Sequence, residues 1–435
     1  MQNTTLPLAF QFLSSKVVPM TVYRVLDYDD ELIQKVRSIQ IELLQKLVSV
    51  CKENGLHPFL IYGSLLGCVR DGGFIPGDDD IDIALMRDDY DKLMSLTDAF
   101  DNEYFLQTPL NDDCFYGGYA KLRKNGTTCI IPGNWYKNCN EGIFIDIFPV
   151  DFAYSDKAKE QHKLRRIRLL QRLLYAKSYG FFRNFKDMPL LVWKAYKYAG
   201  ILKTREQLIS AFDNTVKSHD DSSKCCIYTH YLGQGEIVPT ISRDFSFSAE
   251  LVRDFQKVDF EGVEIDIPCG WKELLIKRYG SNFLEMSGAA NMIKKRHGFY
   301  SVDTSYDIYK KRFSKGSHND WEGHKFILVG DNAGISEFHK QFGTEPKPAA
   351  ILITHDVAWP LPDYFSDVLH ISLSDLEKAD FSECRIVIAG IYFREVEVLL
   401  NKQGILRYTI FVRNREWIKL ANPEDALWEL RDRNV

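Results

Sequence analysis

The chain has no C-x-x-C pair among its nine cysteines, which stand at 51, 68, 114, 129, 139, 225, 226, 269 and 384. Their odd number and wide scatter exclude a disulfide framework and a zinc finger as organising devices, and predict free thiols in a reducing compartment. No apolar run reaches membrane-spanning length. The stretch from Leu6 to Leu13 is broken by Pro7 and has no positive residue before it, which makes it a poor secretion signal. The expected location is the cytoplasm. A surplus of positive charge is also missing: 55 Lys and Arg against 60 Asp and Glu leave a net −5, which predicts no nucleic-acid partner. There is no internal repeat and no low-complexity segment, so a solenoid is excluded.

What is present is an ordinary soluble composition, 45% apolar and 26% charged, over 435 residues, enough for two full hydrophobic cores. The charge is unevenly placed. Between Lys157 and Arg205 fourteen Lys and Arg face only Glu160 and Asp187, a balance of +12 against −17 elsewhere. In this basic stretch, around Lys163-Leu164-Arg165-Arg166-Ile167-Arg168-Leu169-Leu170, apolar positions recur at helical spacing, and Phe181, Phe182, Trp193, Tyr196 and Tyr198 add aromatic surface. The pattern predicts two or three helices over 156–219 and docking on an anionic membrane surface or a polyanionic acceptor.

Residues 59–86 organise the chain. An apolar run, Phe59 to Tyr62, ends at Gly63-Ser64; a short helical stretch carries Arg70; after Gly72-Gly73 a strand is expected to open on Asp78, Asp79, Asp80 and Asp82. In an extended strand Asp78, Asp80 and Asp82 share one face while Ile81 and Ile83 face the core. Three carboxylates so placed repel one another unless a cation sits among them, and oxygen-only ligands suit Mg²⁺ or Mn²⁺ serving a phosphate. A calcium loop fails on spacing, since Ile83 and Asp89 occupy the positions that need Gly and Glu. Downstream, Asp146 lies alone in the apolar run Gly142 to Pro149 and is read as a third catalytic carboxylate.

Around this core, periodicity predicts a helix over 29–54, another from Arg87 to about Phe100, strands at 104–107, 117–123, 127–131 and 142–148, and a hairpin at 258–268. The polar stretch 313–324 reads as a linker. Beyond it, β runs at 325–330, 350–354, 367–371, 385–389 and 407–412 alternate with helices, as in a small parallel βαβ domain. Its first turn, Gly330-Asp331-Asn332-Ala333-Gly334, lacks the dinucleotide fingerprint, and Asp331 argues against a pyrophosphate there.

A Gly-Ser turn after a strand, aspartates two apart on the next strand and a third later resemble the nucleotidyltransferase fold of polymerase-beta-like enzymes. In more detail, G-S-L-L-G-C-V-R-D-G-G-F-I-P-G-D-D-D-I-D, Y-A-K-L-R-K-N-G-T-T and G-I-F-I-D-I-F-P-V-D resemble the LicD family of phosphocholine transferases, as do Y-L-G-Q-G-E, V-D-F-E-G-V-E-I-D-I-P, R-Y-G and R-x-H further on. The resemblance covers roughly 28–303. One departure is Gly77, where the family commonly has Trp. The implied fold class is α/β: an α+β nucleotidyltransferase-like domain over 28–312 with a mixed sheet and the helical insert 156–219, preceded by an extension (1–27) and followed by the linker and a small Rossmann-like domain (325–435).

The implied activity is transfer of a phospho-substituent, phosphocholine from CDP-choline first of all, to a hydroxyl of a cell-surface glycan or its lipid-linked precursor, with release of CMP. The resemblance makes Asp80, Asp82 and Asp146 catalytic, and gives the Mg²⁺ (or Mn²⁺) to these three together with Asp78. Gly63 and Ser64 would cradle a phosphate at a helix start. Arg70, Lys121 and Arg123 would clamp phosphate, and Arg296 and His297 would also touch substrate. Two alternatives stay open: a CDP-ribitol or CDP-glycerol-type transferase, and a metal-dependent phosphodiesterase or hydrolase using the same carboxylates with water. Enzyme and acceptor would meet in the cytoplasm or at the inner face of the membrane.

Overall fold

The computed structural model describes residues 30–115, 118–131, 134–179, 190–220, 224–228, 246–285, 297–317, 321–345, 347–355, 361, 363–377, 383–390, 392–412 and 416–422. The expected extension 1–27, the Y-L-G-Q-G-E stretch, Phe181, Phe182 and Arg296 lie outside them. The chain divides into two compact units, one of residues 28–314 and one from Lys315 onward.

The first unit opens with α1 (Asp30–Glu53). Leu43, Leu44, Leu47 and Val50 recur at helical spacing and are buried. Next come β1 (Phe59–Leu60), α2 (Tyr62–Asp71), β2 (Asp82–Met86) and α3 (Arg87–Met94). They are followed by β3 (Tyr104–Gln107), β4 (Ala120–Lys124), β5 (Thr128–Ile130) and β6 (Ile143–Phe152). Three helices then occupy the basic stretch: α4 (Lys157–Tyr179), α5 (Leu190–Leu202) and α6 (Arg205–Val216). The unit continues through β7 (Lys224–Cys226), β8 (Phe247–Ser248), the hairpin β9 (Phe255–Phe260) and β10 (Val263–Pro268), and α7 (Trp271–Tyr279). It closes with β11 (Phe299–Ser301) and α8 (Tyr306–Lys310).

Its main sheet runs β3-β4-β6-β2-β1-β10-β9. β2 and β6 are parallel, and β4 is antiparallel to β6, so the sheet is mixed as expected. Alternation divides the central strands. Ile83, Leu85, Ile145, Ile147, Ala120 and Leu122 join the leucines of α1 in one core. Their neighbours Asp82, Asp146 and Lys121 therefore point to the opposite face.

Two expectations are corrected here. The strand expected from Asp78 begins only at Asp82; Asp78, Asp79 and Asp80 lie in the approach to it. The helix expected to reach Phe100 stops at Met94, and a 3-10 turn over Thr97–Ala99 takes its place. The basic stretch also keeps some of its charge inside. Lys163 donates to the carbonyls of Phe152 (2.9 Å) and Ser218 (2.7 Å), and Arg205 donates to those of Asp112 (2.9 Å) and Phe115 (2.5 Å). These two cations brace the fold rather than the surface.

In the second sheet, β12 (Phe313–Lys315) lies at an edge; β13 (Phe326–Asp331), α9 (Asn332–Phe342), β14 (Ala350–His355), β15 (Leu369–His370), β16 (Arg385–Ala389), α10 (Phe393–Lys402), β17 (Tyr408–Val412) and β18 (Glu416–Leu420) follow. Strand order is β12-β18-β17-β16-β13-β14-β15. The five strands from β15 to β17 are parallel, with the order of a doubly wound sheet. The Rossmann-like expectation holds to that extent. It does not extend to β18, an unexpected antiparallel strand beside β17, nor to the β14–β15 and β15–β16 connections, whose described residues form 3-10 turns. Asp331 is turned to the fold's own use: its carboxylate accepts the Gly334 amide (2.7 Å) and caps α9. Part of the stretch expected as a linker is also structured. Trp321 is buried, with its ring 4.8 Å from that of Phe326 and 5.9 Å from that of Trp417.

Candidate active site

Three neighbouring strands set the site. Asp82 on β2 stands opposite Asp146 on β6, and Asp146 stands opposite Lys121 on β4. In-register neighbours on one sheet face bring their side chains within contact range. The Lys121 ammonium donates to the Asp146 carboxylate and lies over the Phe144 ring, 3.4 Å from its centre. It is fully buried, and burial pulls its pKa down against the pull of Asp146. Lys121, expected as a phosphate clamp, thus holds a carboxylate.

The Gly-Ser turn meets these carboxylates from the β1 side. A Cβ on Gly63 would stand 3.3 Å from Asp78 Oδ2 and 3.8 Å from Asp82 Oδ2, tight against one and in contact with the other. Glycine keeps that space free beside the carboxylates. The Ser64 hydroxyl accepts the Asp82 amide (2.8 Å), so it fixes the start of β2. Just before it, Tyr62 has φ 51°, an uncommon conformation for a bulky residue and a sign of local strain.

Asp80 and Asp82 share one electrostatic fate. Burial raises both carboxyls, and the surrounding carboxylates raise them further: Asp78, Asp79 and Asp146 act on Asp80, and Asp80, Asp146 and Asp78 on Asp82. Asp80 is pushed up to about 7, and Asp82 goes well above the carboxylate range. A group of acids that resist ionising together is the environment that a hard dication relieves. Oxygen donors alone, packed around an open glycine cradle, fit Mg²⁺ or Mn²⁺.

Asp79 has a different task. Fully buried, it accepts the His297 amide (3.1 Å), the His297 ring Nδ1 (2.6 Å) and the Tyr300 hydroxyl (2.7 Å). The other ring nitrogen of His297 lies 3.4 Å from Asp80 Oδ2. Burial opposes charge on this histidine, but Asp79 and Asp80 overcome it and hold its pKa at about 10. His297 therefore bridges the acidic run as an imidazolium. Sequence reasoning proposed His297 but missed Asp79 and Tyr300. The available signal was alternation: four aspartates in five positions cannot all share one face.

The remaining candidates are spread out. Arg70 sits in the last turn of α2, paired with Asp71 (2.7 Å). Arg123 is taken inside, where it donates to Gln107 Oε1 (2.6 Å) and the Gly142 carbonyl (2.7 Å) beside the Phe144 ring. That arrangement supports the loops and does not present a phosphate clamp. Gly77 has φ 85°, a conformation in which a Trp would be strained.

Next to the carboxylates opens a cleft lined by Tyr62, Leu65, Phe247, Leu274, Arg278 and Tyr279 among others. The Arg278 guanidinium lies over the Tyr62 ring at 5.1 Å, and the Tyr279 phenol is raised first by burial and then by Asp82. Arg278 and Tyr279 belong to the R-Y-G motif and Tyr62 directly precedes Gly63, but the sequence assigned none of them a role; that the R-Y-G segment packs beside the Gly-Ser turn is visible only in the fold.

Over residues 55–189 the chain matches the family model described as LicD/FKTN/FKRP, nucleotidyltransferase domain. This stretch is a LicD-family domain. Among curated proteins no relative matches the chain. The match spans the Gly-Ser turn, the acidic run and the strands bearing Lys121 and Asp146, whereas His297, Tyr300 and Arg278 lie beyond it. A LicD-family domain points to a phospho-substituent transferase acting on glycans. No helix among the described residues is long and apolar enough to cross a membrane.

Proposed function

We propose that the chain transfers a phospho-substituent, phosphocholine from CDP-choline first of all, to a hydroxyl of a cell-surface glycan or its lipid-linked precursor, releasing CMP. The observation that carries this reading is the row Asp82–Asp146–Lys121 across three strands, with Asp80 close enough for the Asp146 carboxylate to raise its pKa. Asp80, Asp82 and Asp146 would hold Mg²⁺ or Mn²⁺, with Asp78 beside them. The ion would polarise the phosphoryl oxygen and neutralise the leaving nucleotide phosphate. Lys121 keeps Asp146 aimed, His297 keeps Asp80 aimed, and a carboxylate of this group accepts the proton of the attacking hydroxyl. The cleft at Tyr62, Arg278 and Tyr279 offers apolar walls and a guanidinium to the nucleotide part of the donor.

The test is incubation with CDP-choline, CDP-ribitol or CDP-glycerol and Mg²⁺, following CMP. Release that requires a glycan acceptor and falls away with a chelator is expected. Acceptor-independent release would replace the transferase by a hydrolase, and no release from any of the three donors would sink the reading.

The same proposal includes a place to meet a lipid-linked acceptor. On α5, Leu191, Ala195, Tyr198 and Leu202 recur on one helix face and are exposed, Leu191 at 79% and Leu202 at 82%. Exposed Lys194 and Lys203 flank this face, and Arg165 and Arg166 are exposed on the adjoining α4. An apolar stripe rimmed by cations fits an anionic bilayer surface. Sedimentation with phosphatidylglycerol vesicles is expected to be strong at low salt and to weaken steeply by about 0.5 M, where surface charges are screened within a few Å. Replacement of Leu191 and Leu202 by Glu should remove it, and equal binding to neutral vesicles or a flat salt response would end the idea.

A further inference from the structure

The cysteines were expected to be scattered free thiols, yet the fold brings two of them together away from the catalytic row. Cys114 lies in the loop before β4, and Cys139 in the loop before β6. Their sulfurs and a carboxylate oxygen of Asp112 all lie within 4.8 Å of one another. Cys114 is partly exposed and Cys139 is buried. We propose that Cys114 and Cys139 form a redox-active dithiol, which a hydroperoxide oxidises to a reversible disulfide.

The surroundings divide the roles. Lys310 donates to the carbonyls of Lys137 (2.7 Å) and Cys139 (2.9 Å), which pins its ammonium 3.2 Å from the Cys139 sulfur. The Cys139 thiol lies 3.5 Å from Glu141 Oε1, and the Cys114 thiol 3.8 Å from the Asn138 carbonyl. The proximity of the two thiols lowers the Cys114 pKa against burial and Asp112, with Lys137 and Lys310 helping, and together with burial and Glu141 it raises that of Cys139. Cys114 is thus the more accessible of the two and the one whose ionisation is favoured, which gives it the attacking role and leaves Cys139 as its resolving partner.

The chemistry closes on these atoms. The Cys114 thiolate attacks the terminal oxygen of the hydroperoxide, the O–O bond breaks, and an alcohol leaves with a proton, giving Cys114 as a sulfenic acid. Cys139 then attacks that sulfur with Lys310 stabilising its developing thiolate; the S–S bond forms and water leaves. Two thiols lose two electrons and two protons, and the hydroperoxide gains them.

A soft metal ion is the rival use of the same atoms, and the contacts oppose it. Asp112 already spends one oxygen on the Cys114 amide (3.0 Å) and the other on Gln107 Nε2 (2.7 Å) and the Asn140 amide (2.9 Å). The fixed Lys310 charge would repel a dication at Cys139. The same hydrogen bonds tie the two loops together and keep the sulfurs within 4.8 Å of each other.

The test uses the full chain, reduced, exposed to cumene hydroperoxide, alkylated under denaturing conditions and mapped by peptide mass spectrometry. Free thiols should fall from nine to seven, with the loss confined to a Cys114–Cys139 peptide pair that a dithiol reductant restores. Lys310→Gln should slow the crosslink, and Cys114→Ser should leave every remaining thiol free. Retention of all nine thiols would overturn the proposal. So would loss centred on the exposed Cys269, or stoichiometric Zn²⁺ binding that needs both cysteines and blocks oxidation. None of these readouts depends on transferase activity.

Discussion

Asp82→Ala and Asp146→Asn should each lower CMP release on the order of 10³-fold or more while the protein stays folded, because each removes an anionic oxygen from the proposed cation site. The choice of Asn at 146 follows from the contacts. Asp146 is the acceptor for the buried Lys121 ammonium. Truncation to Ala would strand that charge inside the protein at a cost of about 3–5 kcal/mol, and a dead variant would then prove only that it unfolds. Asn keeps an acceptor for Lys121 and deletes the charge. Asp82 makes the opposite case. Its carboxyl is held well above the acid range by burial and by Asp80, Asp146 and Asp78, so the fold loses little when it goes. The measurement is CMP release at saturating Mg²⁺ on variants with wild-type circular dichroism and melting. If either folded variant keeps turnover within tenfold of wild type, the two carboxylates do not share the catalytic cation.

The pairing of Asp82 with Asp146 was legible in the sequence, and the reason is local. Ile81, Ile83, Ile145 and Ile147 alternate with the carboxylates, and strand alternation places every second residue on one face whatever the rest of the chain does. The extent of the strand was not legible. Asp78, Asp79 and Asp80 satisfy the same alternation on paper, but Arg37, from α1, donates to the carbonyls of Ile75 and Asp78, and Gln40 donates to that of Asp79. Those backbone acceptors are satisfied by side chains and not by a neighbouring strand. Lys121 and Arg123 show a second limit. Both cations were correctly placed in a motif, yet whether a cation faces substrate or interior depends on partners such as Asp146 and Gln107, which only the three-dimensional sheet supplies. The Cys114–Cys139 pair shows a third. Spacing rules find cysteines held by one local turn, and these two meet because separate loops are tied by Asp112, Asn140 and Lys310.

The acidic site also makes a prediction about stability, with a sign opposite to that of an ordinary surface aspartate. In the metal-free protein Asp80 is shifted from 3.8 to about 7 by burial and its carboxylate neighbours, with His297 working against them. A carboxyl with a raised folded pKa binds more protons folded than unfolded, so its contribution to stability falls as pH rises from about 4 to about 7 and stays low above that. His297 stays charged in the folded protein across this window and titrates near 6.5 only when unfolded, which it does in wild type and variant alike, so the comparison of the two proteins reads out Asp80. Asp80→Asn removes the penalty. In metal-free protein the variant should therefore be more stable than wild type at pH 8, by on the order of 2–4 kcal/mol. The difference should close as pH approaches 4. Mg²⁺ should do for wild type what Asn does for the variant, since the ion displaces the protons: it should raise the wild-type melting temperature more at pH 8 than at pH 5.5, and shift Asp80→Asn less. Melting curves of both proteins, with chelator and with Mg²⁺ at the three pH values, decide the matter. A variant less stable than wild type at pH 8 without metal would mean that Asp80 is a structural anion satisfied by His297, and the proposed cation site would lose that ligand.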